Sequence, residues 1–233
     1  MTDPAVPALP PPPNASDQGA DPAGPPGTLW ARMKADPQYA PEHLALEAVR
    51  RLGPEAQRWA DRTRLEHPGS TPDALAQLVV RRFTNHARLS GAVSGATGLP
   101  GAVVDVGVLA WTQARMVLHV AAAYGIDPTA AERATDLLVL QRVHKAAEAA
   151  RLALGVAAGR ERASRLFATS TGRPLSGVMV KLGVKLAQMA GVRAAQRIFA
   201  KAIPGAAMVL GTWANSSATK DLARRTTELY GRP

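Results

Sequence analysis

Apolar residues recur three or four positions apart along most of the chain, a spacing that predicts amphipathic helices. The pattern begins at Thr28, and residues up to His67 are predicted to form two or three short helices interrupted at Pro54. The sequence Ser-Thr-Pro-Asp at 70–73 combines a hydroxyl cap, a proline and an acid, which predicts a helix start. We expect that helix to continue into Ser90.

The least polar stretch runs over residues 89–127, where Gly, Ala and Val dominate. Because a Pro-Gly pair at 100–101 divides it, we predict a helix end, a corner, and a second helix over about 102–124. Residues 91–114 could just span a membrane, but the Pro-Gly pair cuts them and Asp105 would lie deep in hydrocarbon. A buried pair of core helices is therefore favoured, and membrane insertion is the alternative.

Three further helices are expected beyond this stretch. Gly125 and the Asp-Pro pair at 127–128 predict a helix stop followed by a helix that continues to about Leu154. Helices over 175–201 and 206–230 complete the chain. All of the regular structure is thus predicted to be helical.

A short motif returns near the C-terminus. The Pro-Gly-Ala corner at 100–102 is repeated at 204–206, and Tyr-Gly pairs at 124–125 and 230–231 end both halves. A repeated Pro-Gly with aligned small residues favours an internal pseudo-repeat, with chance matching in so Ala-rich a chain as the alternative.

The central residues carry a resemblance to a known family. The order Ser-Gly-x-x-x-Gly-x-x-Gly-Leu-Pro-Gly at 90–101, Asp105, Gln-x-Arg at 113–115 and Ala-x-Tyr-Gly at 122–125 is similar to the EcsC family. The likeness runs from about Asp73 to Tyr230 and is strongest from Ala87 to Asp127. It implies an α-helical bacterial domain whose founding member is encoded beside an ABC transporter, and it implies no particular reaction.

Composition sets the class of protein. The 233 residues allow one good-sized domain, and the absence of cysteine removes disulfides and thiolate chemistry. Residues 1–27 are rich in Pro and Ala without periodic apolar positions, so we expect a disordered tail. We divide the rest into short covering helices at 28–69 and an EcsC-like helical domain at 70–233. The expected fold is all-α, a compact multi-helix domain with two pseudo-repeated Pro-Gly corners.

Charge is the clearest indication of partners. The chain carries a formal net charge of +10, and residues 151–201 hold ten Lys or Arg against the single acid Glu161. Such a field attracts anions, either lipid headgroups or nucleic acid. Scarce aromatic residues and the lack of a nucleic-acid-reading motif weigh against nucleic acid. The start of the sequence has no basic and apolar leader, which predicts a cytoplasmic protein, peripheral at the inner face of the cell membrane.

The helix predicted at 175–201 is the candidate membrane-binding element. One of its faces gathers small residues, and the other mixes long apolar side chains with basic ones, as an interfacial helix does. Contact with another helix of the same protein is the alternative. The lipid-binding or anion-binding candidates are Lys181, Lys185, Arg193, Arg197 and Lys201.

Three polar residues of the central stretch are candidates for a buried polar or ligand site: Asp105, Arg115 and His119. A carboxylate within Val-Val-Asp-Val must be paired, cap a helix, or face a polar cavity, because burying it alone is costly. Arg115 and His119 stand four apart on one helix ridge with Gly107 and Trp111. Neither Glu-x-x-His nor His-x-x-x-His spacing occurs, so we predict no metal site and no cofactor.

These features favour a non-enzymatic accessory protein that associates with anionic lipid or a membrane surface. A membrane protein or a second copy of the chain is a further candidate partner. The alternatives are a self-associating scaffold and, less favoured, a hydrolase using Ser217, Lys220 or Asp105, because Ser-x-x-Lys lacks its companion motifs here.

Overall fold

The computed structural model describes residues 24–90, 98–166 and 207–231, and all of the regular structure within them is helical. The predicted all-α class is therefore confirmed. The helices are α1 Gly27–Ala35, α2 Ala40–Glu66, α3 Pro72–Ser90, α4 Gly98–Ala123, α5 Glu132–Leu140, α6 Ala147–Leu166 and α7 Ala207–Tyr230, with a 3-10 turn at Pro37–Tyr39 between α1 and α2.

Helix α4 lies at the centre and packs against α2, α3, α5 and α7. Its residues from Met116 to Ala123 are all buried, and all of them except His119 are small or apolar. By length and composition alone Val106–Ala123 could cross a membrane, with a mean hydropathy of 1.2, but 83% of this window is buried inside the protein. The surrounding helices thus cover this window of α4.

Helix α2 is one continuous helix of 27 residues, so the predicted interruption at Pro54 is wrong. Proline removes one N–H from the helix ladder, yet Leu52 and Ala56 on either side of it are buried in the core. Gly53 lets the helix pass close to the backbone of Pro128, where an added Cβ would lie 2.6 Å from the carbonyl oxygen. Packing on both flanks outweighs the local cost of the proline.

The predicted start of α3 is confirmed. Pro72 is its first residue, and the Thr71 hydroxyl oxygen accepts a hydrogen bond from the Ala74 amide at 3.2 Å. Helix α4 begins at Gly98, about four residues before its predicted start, and Pro100 lies inside the first turn. A first-turn proline needs no N–H, so it opens this helix and does not precede it.

The single helix predicted from Pro128 to about Leu154 is wrong, because α5 and α6 are separated at 141–146. Arg142 has a φ of 59°, the left-handed conformation that ends helices. The Val143 amide donates to the Leu138 carbonyl and the Arg142 amide to the Val139 carbonyl, which forms a Schellman cap. Asp127 caps the preceding turn, since its carboxylate accepts from the Thr129 amide at 2.8 Å.

Helices α4 and α7 both end at a Tyr-Gly pair, as predicted for the two halves. After α4, Gly125 has a φ of +79° and its amide donates to the Ala122 carbonyl, a Schellman cap formed by glycine. Residues 1–23 of the tail predicted at 1–27, the corner at 204–206 and the helix at 175–201 lie outside the described residues, whereas Gly27 at the end of the predicted tail is already the first residue of α1. The pseudo-repeat therefore stays a prediction beyond its two helix ends.

Candidate functional site

The ridge predicted on α4 faces the first two helices. Trp30 of α1 lies over Gly107, so closely that a Cβ there would come within 2.2 Å of the indole ring. Further along the ridge, Arg115 and His119 both approach Glu55 of α2. The sequence therefore indicated correctly that these ridge residues share one side of the helix.

Glu55 and Arg115 form the first charged cluster of the site. The Arg115 Nε donates to Glu55 Oε1 at 2.8 Å, and Arg115 Nη2 donates to the same oxygen. Both side chains keep about a fifth of their surface exposed, at 23% and 21%. Partial burial strengthens such a pair over a fully exposed one, because solvent screens it less.

His119 lies beneath this pair and is buried, with its ring between Trp59 and Phe83 at centroid distances of 5.4 and 5.6 Å. Its Nδ1 donates to the Arg115 carbonyl oxygen at 2.8 Å, which places the proton of the neutral ring on Nδ1. Burial lowers the pKa of His119 to about 3, with the nearby Arg115 and Arg82 charges adding to that effect against the backbone hydrogen bond. The imidazole is thus neutral at physiological pH.

Arg82 of α3 is the second arginine beside this cluster. Its pKa is lowered by burial and by the positive charge of Arg115, while Glu55 raises it. The place of Arg82 beside Glu55 depends on how α2 and α3 each pack against α4, which no local pattern encodes.

A second charged cluster lies on the face of α2 towards α1. Glu47 is buried, with 1% of its side chain exposed, and its carboxylate accepts hydrogen bonds from three arginines. Arg32 Nη2 donates to Oε2 at 2.6 Å, Arg51 Nε donates to Oε1 at 2.5 Å, and Arg50 Nη2 donates to Oε2. We call these four residues the Glu47 cluster.

The Glu47 carboxylate stays ionised in the folded protein. Burial by itself raises its pKa, but the hydrogen bonds from Arg50, Arg32 and Arg51 outweigh burial and lower the pKa to about 2. Arg50 and Arg51 remain half exposed, at 56% and 46% of their side-chain surface. The side chains of Arg50 and Arg51 therefore reach the surface, while the carboxylate that they contact is buried.

The first turn of α2 carries two more buried ionisable side chains, Glu42 and His43. Glu42 Oε1 lies 2.7 Å from His144 Nε2, and His43 Nε2 lies 3.3 Å from Asp36 Oδ2. Arg160 of α6 donates to Asp36 Oδ1 at 3.1 Å. These contacts fasten α6 and the α5–α6 connection to the start of α2.

Helix α6 presents an apolar stripe to the surface. Leu152 and Val156, one turn apart, are 74% and 44% exposed. Gly155 and Gly159 lie beside them with open space where a Cβ would stand. Basic and acidic neighbours on the same connection and helix are also exposed: Arg142, Lys145, Glu148 and Arg151. We call Leu152, Gly155, Val156 and Gly159 the α6 stripe.

The structure reaches only part of the predicted site set. Asp105 lies on α4, and its side chain is outside the part of the chain that the structure describes, as are the basic candidates Lys181, Lys185, Arg193, Arg197 and Lys201. Ser217 and Lys220 lie on α7, half-buried and exposed respectively. Over the described ranges, no group of three or more His, Asp or Glu side chains is arranged to hold a metal ion.

The sequence missed Glu55 and Glu47 as site residues. Both lie in an ordinary helical pattern, and their arginine partners Arg115 and Arg32 lie 60 and 15 positions away. The only local signal was Glu47 with Arg50 and Arg51, the i,i+3 and i,i+4 spacing of helix ion pairs.

Comparison with known proteins gives one match. No curated protein and no solved structure matches the chain. A family model described as the EcsC protein family matches residues 65–232, a segment that contains α3 to α7 and the central ridge of α4. Because this segment is well over half of the 233 residues, the chain belongs to the EcsC protein family.

Proposed function

We propose that this protein is a non-enzymatic accessory protein that binds anionic lipid at the cytoplasmic face of a membrane. The observation that carries the proposal is the α6 stripe, two large apolar side chains exposed one turn apart beside Lys145 and Arg151. Apolar side chains bordered by basic ones are what peripheral helices bring to the headgroup region.

The energetics favour a peripheral mode of binding. Fully burying a Leu or Val side chain contributes about 1.5–3 kcal/mol, so Leu152 and Val156 together supply only a few kcal/mol. Each Lys or Arg near an anionic surface adds about 1 kcal/mol, an amount that salt reduces. Residues 70–233 hold twenty-one basic and nine acidic side chains, so the electrostatic contribution is available over most of the chain. Binding should therefore need anionic lipid and should weaken as the salt concentration rises.

Co-sedimentation with vesicles tests the proposal. The full-length protein should sediment with phosphatidylglycerol-containing vesicles at low salt, and high salt should release it. Pure phosphatidylcholine vesicles should leave it in the supernatant. Sedimentation that is the same with both lipids would contradict the proposal.

The apolar part of the interaction needs its own variant. Replacing Leu152 and Val156 by Ser should reduce binding to anionic vesicles severalfold, because the stripe loses its apolar surface. Leu65, 84% exposed on α2, provides the matched control, and Leu65→Ser should bind as the wild type does. If the control loses as much binding as the stripe variant, the stripe is not the docking surface.

Self-association is the second candidate function, and the glycines of the α6 stripe favour it. Gly155 and Gly159 are four apart with open space over both, a spacing at which two helices can approach closely. Light scattering after gel filtration separates the two functions. A dimer that Gly155→Leu dissociates, with no vesicle binding in either form, would favour the scaffold.

A further inference from the structure

We propose that Thr84 of α3, Gln113 of α4 and Thr219 of α7 form a binding site for an internal water molecule, which the three side chains bind together. All three residues are buried, with 6%, 3% and 3% of their surface exposed. They lie within the segment that the family model matches. The site is separate from the lipid-binding surface, so the inference goes beyond the proposed function and does not depend on it.

The hydroxyl groups of Thr84 and Thr219 have unused hydrogen-bonding capacity. Both oxygen atoms are buried, and neither makes a hydrogen bond with any residue that the structure describes. A buried hydroxyl group without a partner lowers stability, so native proteins rarely keep one. Other helical threonines of this protein donate to the carbonyl four residues earlier: Thr63, Thr112, Thr226 and Thr227. The hydroxyl groups of Thr84 and Thr219 are therefore not bonded to their own helices.

The three proposed water ligands lie at one level of the helix bundle. The Tyr124 hydroxyl at the end of α4 donates to Asp73 at the start of α3, and it also lies against Gly231 at the end of α7. From this junction the helices extend alongside one another, since α3 packs on α4 and α7, and α4 packs on α7. Each water ligand is about three helical turns, or about 16–18 Å, from the junction.

The side chains on α3 and α4 lie on helix faces that turn toward each other. Residues about three turns apart share one face of a helix. Thr84 is therefore on the face of α3 that carries Asp73. Gln113 is likewise on the face of α4 that carries Tyr124. Because Asp73 and Tyr124 are hydrogen-bonded, these two faces meet.

Thr219 completes the site from α7. The same face of this helix holds residues that are also buried further along: Leu222, Ala223 and Thr226. Helix α7 packs mainly against α3 and α4. Its buried face is therefore turned to the groove between these two helices, where Thr84 and Gln113 lie.

Water suits this set of groups better than an ion does. All three side chains are uncharged, and hydroxyl and carboxamide groups can both donate and accept hydrogen bonds. The hydroxyl groups of Thr84 and Thr219 do not bond to each other, so a molecule between them has to join them. A buried water molecule makes about three hydrogen bonds to such groups. One water molecule can thus satisfy both hydroxyl groups and the carboxamide of Gln113.

Valine substitutions test whether the hydroxyl groups have a partner. Valine keeps the branched shape of threonine and lacks only the hydroxyl group. Thr84→Val and Thr219→Val should each lower the Tm of the full-length protein by about 2–4 °C, the effect of one lost hydrogen bond in a chain of this size. An equal or higher Tm in either variant would overturn the inference, because the hydroxyl group would then be buried without a partner.

A double-mutant cycle tests whether the two hydroxyl groups share one water molecule. Side chains that bind the same molecule are coupled, so the double variant Thr84→Val with Thr219→Val should lose clearly less Tm than the sum of the two single losses. The matched control replaces Thr226, whose buried hydroxyl donates to the Leu222 carbonyl at 2.8 Å. Thr84→Val with Thr226→Val should show losses that add. Additive losses in both pairs would overturn the shared site.

Nuclear Overhauser effects from water give a direct measurement that needs only a single variant. In the wild type, the water signal should show cross-peaks to the methyl groups of Thr84 and Thr219. In Thr219→Val the cross-peak to Thr84 should fall severalfold, because the water molecule has lost one of its three ligands. A wild type without these cross-peaks, or a Thr84 cross-peak that Thr219→Val leaves unchanged, would contradict the inference.

Discussion

The Tyr124 hydroxyl group lies against Gly231, so that the C-terminal ends of α4 and α7 meet. A Cβ on Gly231 would come within 3.1 Å of the Tyr124 hydroxyl oxygen. That hydroxyl also donates to Asp73 Oδ1 at 2.7 Å, which brings the start of α3 to the same point. Burial and the Asp73 carboxylate raise the pKa of Tyr124 to about 12. The phenol therefore stays protonated as a donor at neutral pH.

Gly231→Ala should lower the free energy of unfolding by about 1–2 kcal/mol, because its Cβ would also lie 2.7 Å from the Thr227 carbonyl oxygen. Urea unfolding measures the change. Gly155→Ala is the matched control, since it adds the same methyl group where nothing lies within 4 Å. In a helix interior that control should gain up to about 1 kcal/mol. Losses of equal size in the two variants would contradict the close contact.

Tyr230→Phe should cost about 1–2 kcal/mol of stability. Tyr230 is 7% exposed, and its hydroxyl donates to Asp136 Oδ2 at 2.9 Å. Asp136 keeps its ion pair with Arg133 at 2.7 Å, which limits the loss. Tyr124→Phe, at a more exposed position, should cost less. Thermal melts of both variants check this order, and the reverse order would show that burial does not set the strength of these bonds.

Arg142→Gly should raise the free energy of unfolding by about 1 kcal/mol. Arg142 is a non-glycine residue in the left-handed conformation, and glycine removes the steric cost of its side chain. Its ion pair with Asp221, at 3.8 Å and with 68% of the arginine exposed, contributes little. Gly125→Ala is the inverse control and should destabilise, because its φ is +79°. Equal stability of Arg142→Gly and the wild type would show that the left-handed conformation of Arg142 does not lower the stability of the protein.

His119 makes stability depend on pH. Its pKa falls from 6.5 to about 3 on folding, so the unfolded chain binds more protons between these values. The free energy of unfolding therefore decreases as pH falls through this window, by up to about 1.4 kcal/mol per pH unit. Glu47, whose pKa is lowered from 4.5 to about 2, loses its stabilisation only as pH falls below 4.5.

Between pH 6.5 and 4.5, protonation of His119 therefore changes the free energy of unfolding, whereas Glu47 contributes only below this window. His119→Phe should flatten the dependence of the free energy of unfolding on pH in this window. Urea unfolding at several pH values measures the slope. An unchanged slope in the variant would mean that His119 does not bind the extra proton.

Local signals in the sequence were sufficient for several helix ends. Thr71 with Pro72 started α3 as predicted, since a cap acts within one turn. Gly125 and the Tyr-Gly pair at 230–231 indicated the ends of α4 and α7, because glycine is common just after the last residue of a helix. The four-residue spacing of Arg115 and His119 also placed both on the correct face of α4.

Features that depend on long-range packing were not predictable in this way. Pro54 lies inside α2 because the turns on both sides of it are packed in the core. The local sequence does not show this packing. Arg142 adopts the left-handed conformation that is typical of glycine. Because the residue is an arginine, the sequence does not indicate that α5 ends there. Glu55 meets Arg115 across 60 residues of sequence, and only the folded arrangement of α2 and α4 joins them.

The contact of Trp30 with Gly107 has a consequence for how the chain can vary. Three residues that precede the family segment each contact one feature of α4. Trp30 lies over Gly107, where there is no side chain, and Glu55 accepts from the Arg115 guanidinium. Arg64 donates to the Ala122 carbonyl. A fragment starting at residue 65 would leave an empty slot over Gly107, and it would remove the Glu55 carboxylate from Arg115 and the Arg64 donor from the Ala122 carbonyl. The first two helices and α4 are therefore coupled in sequence, and substitution on one side requires a compensating change on the other.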